Sequence, residues 1–127
     1  MKKFSFIFLL LCIICGINAK AQITVFSQNK CNFDKLPVIL KMWKEELAPM
    51  LNEQVDAGKL ASWGILTHSW GDEWNFNVYY VAENISEFQS GFNEAVKNYR
   101  EKFPDGFKRM SEACFFIKFT HLNVLWF

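Results

Sequence analysis

The sequence of 127 residues has only two histidines, His68 and His121, and four cysteines, and none of them stands at a spacing that binds a metal ion. It lacks a phosphate-binding glycine loop and the G-x-S-x-G and H-E-x-x-H motifs of known hydrolases. Neither sign of charge dominates, with 14 basic and 13 acidic residues. We therefore expect no metal, no cofactor and no nucleic-acid partner.

No apolar run is long enough to span a bilayer. The longest covers residues 4–17, about 14 residues against the ~20 that a membrane helix needs. It follows Met1-Lys2-Lys3 and precedes Ala19-Lys20-Ala21, which predicts a signal peptide over residues 1–21. An uncleaved anchor is the alternative, whereas a lipoprotein signal is disfavoured because Cys15 follows bulky Ile14. We expect a secreted or periplasmic protein that is free of the membrane after cleavage.

The mature chain would then be a single domain, residues 22–127, with a formal net charge of −2, because three of the basic residues leave with the signal. Its many aromatic residues can supply a core. Cys12 and Cys15 leave with the signal, and Cys31 and Cys114 remain. Two cysteines in an exported domain predict one disulfide, with two buried thiols as the alternative.

Apolar spacing predicts two helices and four strands. The first strand covers residues 23–28, and a helix capped by Asp34 follows, is kinked or restarted at Pro49, and stops at Gly58. Residues 60–82 read as a β-hairpin around a Gly71-Asp72 turn. A second helix begins with a capping box of Ser86 and Gln89 and ends before residue 104. A short connector over 107–112 leads to a last strand over 114–120, and residues 121–127 are left unassigned.

The order β-α-β-β-α-β predicts a ferredoxin-like α+β fold, with a four-stranded antiparallel sheet and both helices on one face. In this topology the first and last strands are antiparallel neighbours. The end of the first strand then lies beside the start of the last, which places Cys31 next to Cys114.

A two-residue turn at 71–72 would pair residue 66 with residue 77, and this register sorts the hairpin into two faces. The apolar face, expected under the helices, holds Trp63, Ile65, Thr67, Trp74, Phe76, Val78 and Tyr80. The other face holds Leu66, His68, Trp70, Glu73, Asn75, Asn77, Tyr79 and Val81.

This second face is too apolar to be left in water, which predicts a homodimer that packs two sheets face to face. Such a dimer encloses a cavity for a small apolar or aromatic ligand. We expect that cavity to be lined by Leu66, His68, Trp70, Asn75, Asn77 and Tyr79.

The element order, the Trp63-Gly64 strand and the His68-Ser-Trp-Gly-Asp-Glu-Trp74 hairpin resemble the dimeric α/β-barrel superfamily, from about residue 23 to residue 120. The superfamily includes cofactor-independent monooxygenases, haem-degrading enzymes, EthD-like and stress-responsive barrels, and uncharacterised secreted members. The resemblance implies the dimeric barrel and no single activity. Haem degradation would need a helical histidine as iron ligand, and neither histidine lies on a predicted helix.

Two functions from different classes remain open. The first is an exported protein that binds a small molecule without turnover. The second is a monooxygenase- or isomerase-like enzyme without a cofactor, acting on a small aromatic or quinol-like substrate. Here His68 would be the general base, and Asn77 or Asn75 would donate to a developing oxyanion. The structural alternatives are a hydrogen bond that fixes His68 and asparagines that satisfy backbone groups.

Overall fold

The computed structural model of the protein describes residues 22–68 and 73–124, except for the side chains of residues 116–119 and 121–124. Its elements follow the predicted β-α-β-β-α-β order. They are β1 (Gln22–Cys31), α1 (Leu36–Met42), α2 (Ala48–Asp56), β2 (Ser62–Thr67), β3 (Phe76–Ala82), α3 (Ile85–Lys102), α4 (Gly106–Ser111) and β4 (Cys114–Val124). The predicted signal peptide, Trp70 and the Gly71-Asp72 turn lie outside the described residues.

The four strands form one antiparallel sheet in the order β2-β3-β1-β4, so the first and last strands are neighbours as predicted. The hairpin register is also confirmed, because Leu66 lies opposite Asn77. The two hairpin strands are shorter than predicted, since their ladder ends at the pair Thr67 and Phe76. The last strand is longer than predicted and pairs residue 124 with residue 22 at the far end of β1.

One face of the sheet is buried against the helices. Alternate residues of the two central strands point into this core, as period-two side-chain geometry requires. They are Val25, Ser27, Asn29 and Cys31 in β1, and Phe76, Val78, Tyr80 and Ala82 in β3. The helices contribute Ile39, Trp43, Leu51, Ala95 and Tyr99, among others, to the same cluster. Full burial of each large apolar side chain is worth about 1.5–3 kcal/mol, so this layer is the main source of stability.

The first helical region is divided at Pro49, as predicted. Helix α1 passes into a π-helical turn, Trp43–Leu47, and α2 begins at Ala48 with Pro49 in its first turn. Proline has no backbone N–H to give to the preceding turn, and the first turn of a helix tolerates that loss. Gly58 ends the region with φ +74°, a left-handed conformation that favours glycine.

Both predicted helix caps are wrong. Asp34 lies inside a short 3₁₀ turn, Phe33–Lys35, and the residue before that turn is Asn32. Helix α3 starts at Ile85, and its cap is Asn84 instead of Ser86, because the Asn84 Oδ1 atom accepts the Glu87 N–H at 2.9 Å. Asparagine caps a helix as well as serine does, and the earlier start adds a further bond, from the Phe88 N–H to the Asn84 carbonyl.

The predicted disulfide between Cys31 and Cys114 is present, with 1.99 Å between the sulfurs and 3.9 Å between the Cα atoms. It joins the end of β1 to the start of β4, next to a bulge between Lys30 and Cys31. Both residues belong to the buried core. The alternative of two separate buried thiols is therefore wrong.

Replacing both cysteines with alanine should lower the free energy of unfolding substantially. The bond spans a sequence separation of 83 residues. The chain-entropy model gives about 4.5 kcal/mol for a loop of that size. Urea unfolding of the wild type and of the Cys31→Ala, Cys114→Ala variant measures the difference. Thiol titration of the denatured, unreduced wild type should find no free thiol, and two thiols per chain would contradict the bond.

Candidate functional site

The sheet face opposite the core is built from the remaining positions of the same strands. In β1 and β3 these are Thr24, Phe26 and Gln28, and Asn77, Tyr79 and Val81, all of them partly exposed. The register aligns them in cross-strand rows, so Gln28 lies beside Asn77, and Phe26 beside Tyr79. Leu66 of β2 continues the first row and is 48% exposed. We call this surface the open face.

A glycine fixes one aromatic ring on the open face. Gly64 lies opposite Tyr79, and a Cβ atom added at Gly64 would lie 2.5–2.7 Å from two ring carbons and the hydroxyl oxygen of the tyrosine. The ring therefore lies across the glycine, a contact that only a residue without a side chain permits. The glycine of the Trp63-Gly64 pair thus has a physical role in positioning Tyr79.

Two predicted site residues each keep a polar atom without a protein partner. The Nδ1 atom of His68 and the Oδ1 atom of Asn77 are buried and make no hydrogen bond within the described part of the chain. The Nδ2 atom of Asn77 donates to the Trp74 carbonyl at 2.7 Å, which holds the amide in place. An unpaired buried polar atom costs about 1–3 kcal/mol, so both atoms are suited to a ligand or water.

Asn75 was expected to line the cavity, but the structure buries it completely inside the protein. Its Nδ2 atom donates to the Cys31 carbonyl at 2.6 Å, and its Oδ1 atom accepts the Cys31 N–H at 2.8 Å. The side-chain amide thus takes both hydrogen-bonding groups of one β1 residue, just before β3 begins. Asn75 therefore has the structural role that was the alternative to a site role in the sequence analysis, namely hydrogen bonding to backbone groups.

A cavity that sequence reasoning missed lies on the core side of the sheet. Its volume is about 60 Å³, and its lining residues include Ser27, Asn29, Trp43 and Tyr80. Its other walls are apolar and come from Leu47, Phe92, Val96, Phe107 and Met110. The sequence feature that could have revealed this cavity is the period-two pattern of β1. It places Ser27 and Asn29 on the same face as Val25 and Cys31.

An ion pair joins the two helical segments that border this cavity. Glu46 of the π-helical turn accepts two hydrogen bonds from Arg109 of α4, at 2.9 and 2.6 Å, and one from the Tyr99 hydroxyl at 3.1 Å. The hydrogen bonds from Arg109 hold the pKa of Glu46 below its ordinary value. Burial, together with the negative charge of Glu46, raises the pKa of Tyr99 to about 12. The pair therefore stabilises the fold near neutral pH and loses that effect as acid protonates Glu46.

The described residues contain no group of three or more histidine, cysteine or acidic side chains that could hold a metal ion. Within the same part of the chain, no helix has both the length and the apolarity to cross a membrane.

Comparison with known proteins identifies the fold. No family model and no curated protein sequence matches the chain. Among solved structures, a dimeric ferredoxin-like protein from an uncultured marine organism has a TM-score of 0.66 and 14% identity, over 84% of this chain and 90% of its own. A NIPSNAP family protein from Agrobacterium tumefaciens has a TM-score of 0.63 and 14% identity, over 80% and 90%.

A third structure with this fold is a conserved protein of unknown function from Bacteroides thetaiotaomicron, described as a possible oxidoreductase. Its TM-score is 0.58 at 13% identity, over 84% of this chain and all of its own. At these identities the likeness shows the fold. The protein thus has the ferredoxin-like α+β fold shared by dimeric ferredoxin-like and NIPSNAP family proteins.

Replacing Gly64 with alanine should destabilise the protein by about 1–3 kcal/mol, because the new methyl group must displace the Tyr79 ring. The same substitution in a Tyr79→Ala background should be neutral or stabilising, since the ring is gone and alanine costs less backbone entropy than glycine. Urea unfolding of the four proteins completes a double-mutant cycle. An equal penalty in both backgrounds would show that the ring does not lie across Gly64.

Proposed function

We propose that the protein is exported and binds a small apolar or aromatic molecule as a homodimer, in a cavity enclosed by two open faces. The observation that supports this most directly is a pair of buried atoms, His68 Nδ1 and Asn77 Oδ1, that have no hydrogen-bond partner among residues 22–68 and 73–124. They belong to the same hairpin as the exposed Leu66 and the positioned Tyr79. A ligand with an apolar body and a polar group matches this combination of side chains.

The dimer is supported by the composition of the open face. Phe26, Tyr79, Val81 and Leu66 are only partly covered within one chain, although they form adjacent rows of one sheet. A specific interface removes about 1,600 Å² of surface in total, and a pair of four-stranded sheets can supply that area. The marine ferredoxin-like protein with the same fold is described as dimeric.

Ligand chemistry follows from the two unpartnered atoms. The Oδ1 atom of Asn77 is an acceptor, so the ligand should offer it an O–H or N–H group. The Nδ1 atom of His68 can donate or accept, according to the tautomer. The neighbouring Tyr79 ring is held by Gly64 and provides a surface for stacking. A phenol or quinol therefore fits this site better than a purely apolar molecule.

The second candidate function is a monooxygenase- or isomerase-like activity without a cofactor. It is favoured by the Nδ1 atom of His68, which is bonded to no described residue and could accept a proton from a phenolic substrate. Asn77 would then act on the oxyanion through its second amide N–H, because its other N–H is given to Trp74. The Bacteroides thetaiotaomicron protein of the same fold is described as a possible oxidoreductase.

Native mass spectrometry of the protein purified from its own host tests export, assembly and ligand together. We expect a dimer of chains that begin at Gln22, since the Ala19-Lys20-Ala21 site precedes that residue. We also expect extra mass from a retained small molecule. A stable monomer at micromolar concentration would contradict the shared cavity, and a chain that begins at Met1 would contradict cleavage.

Substitutions at His68 and Asn77 should weaken the binding of the retained molecule without unfolding the protein. Loss of one hydrogen bond predicts about a fivefold to tenfold increase in Kd for His68→Ala or Asn77→Leu. Asn93→Ala, on the exposed side of α3, is the matched control. Isothermal titration calorimetry measures the binding, and thermal unfolding checks the fold.

Unfolding of His68→Ala would assign a structural role to His68 and contradict the site. If the protein instead transforms the bound molecule, His68→Ala should abolish turnover. Its effect on the Kd of the molecule should then be smaller than its effect on turnover. Dioxygen uptake and product analysis with a bound quinol or phenol would distinguish this enzyme from a binding protein.

A further inference from the structure

The open face carries two lysines and no acidic residue at the strand positions that the structure describes. Lys30 lies in β1 between the core residues Asn29 and Cys31, so it belongs to the open face, where it is partly exposed. Lys118 of β4 pairs directly with Gln28, and directly paired residues of antiparallel strands share one face. The other open-face positions of the four strands hold neutral residues.

The charge of this face is not balanced within the chain. Residues 22–127 have a formal net charge of −2, yet the acidic residues lie away from the open-face strand positions. Glu73, which the sequence placed on this face, precedes β3 and is exposed. The Lys30 ammonium makes no hydrogen bond or ion pair with any residue that the structure describes. The open face therefore has positive charge that an external anion can neutralise.

Both lysines lie at the end of the open face that holds the candidate site. The register aligns Asn77, Gln28 and Lys118 in one cross-strand row, on β3, β1 and β4. Lys30 is two residues further along β1, toward the end of the sheet where His68 follows β2. Neighbouring strands are about 4.8 Å apart, so the backbones at Asn77 and Lys118 are separated by about 10 Å.

This row has an acceptor at one end and donors toward the other. Asn77 Oδ1 can only accept, and it has no partner among the described residues. The Oε1 atom of Gln28 accepts from the Thr120 hydroxyl at 3.4 Å, which leaves the Gln28 amide N–H groups for a ligand. Lys118 occupies the next position of the row and brings a positive charge. A ligand that crosses this row should have a donor at one end and an anion at the other.

Pairing two open faces makes a countercharge necessary. The second copy adds the same two lysines to the enclosed space, because a two-fold interface repeats every residue. Covering an ammonium group without a partner is costly, whereas an anion between the lysines offsets that cost. A lysine that reaches the rim of the interface with its charged end is the structural alternative, and it would give the ligand no preference for charge.

We infer that the ligand of the open face is an aromatic carboxylate with a phenolic hydroxyl on the opposite side of its ring. This inference rests on the proposed function and names the chemical class of its ligand. The phenolic O–H donates to Asn77 Oδ1, and the ring lies against Tyr79. The carboxylate accepts from the Gln28 amide and pairs with Lys118 and Lys30. A benzene ring with substituents on opposite carbons matches the separation of Asn77 and Lys118.

Two matched compounds test the charge of the ligand. The probe para-hydroxybenzoate is an anion, and para-hydroxybenzamide has the same ring and hydroxyl but is neutral. Isothermal titration calorimetry of the mature protein should give para-hydroxybenzoate an affinity about tenfold higher, because hydrogen bonds to a charged group are the stronger ones. Added salt should weaken the binding of para-hydroxybenzoate and leave that of para-hydroxybenzamide nearly unchanged.

Substitution of the two lysines tests where the carboxylate binds. Lys30→Met and Lys118→Met keep most of the side-chain length and remove the charge. Each should weaken para-hydroxybenzoate about fivefold and leave the Kd of para-hydroxybenzamide unchanged. Lys118→Arg keeps the charge and should retain the preference for the anion. Lys41→Met, at an exposed position of α1, is the matched control and should change neither Kd. Thermal unfolding checks that each variant is folded.

The possible failures of this inference and of the proposed function have different results. Equal affinities for the two compounds would overturn the anionic ligand and leave the phenol site in place. A preference for the anion that survives both Lys→Met substitutions would also overturn the assignment of the lysines. If neither compound binds to the dimer, the proposed phenol site is wrong and the inference fails with it.

Discussion

The junction of Asn75, Cys31 and Cys114 is the interaction on which the rest of this structure depends. The disulfide fixes the end of β1 to the start of β4, and the Asn75 amide binds both backbone groups of Cys31 from the segment before β3. Three of the four strands are therefore joined at one end of the sheet. All three residues are buried, where hydrogen bonds are strong and expensive to leave unmade.

This junction also positions the open-face site. Asn77 lies two residues after Asn75, and its Nδ2 atom donates to the carbonyl of Trp74, the residue before Asn75. The orientation of the Asn77 amide thus depends on how the preceding segment is held. Asn77 Oδ1, which has no hydrogen-bond partner among the described residues, thus lies next to a junction whose own polar groups are bonded.

Much of the fold could be predicted from the sequence, because it rests on local patterns. The helix stripes, the strand alternation and the hairpin register are properties of neighbouring residues, and antiparallel adjacency of β1 and β4 then implies the disulfide. The features that were missed depend on distant contacts. Asn75 is 44 residues from Cys31 and Arg109 is 63 residues from Glu46, so no local pattern distinguishes them from solvated polar residues.

The open face and the core-side cavity are built from opposite faces of the same two strands. Consecutive residues alternate between them: Tyr79 lies on the open face and Tyr80 lines the core-side cavity. In β1, Gln28 lies on the open face between Ser27 and Asn29, which line the cavity. A slip of one residue in either strand would exchange the two sets of side chains. The contact of Tyr79 with Gly64 and the bonds of Asn75 to Cys31 oppose such a slip, so these contacts also decide which side chains reach the open face and which reach the core.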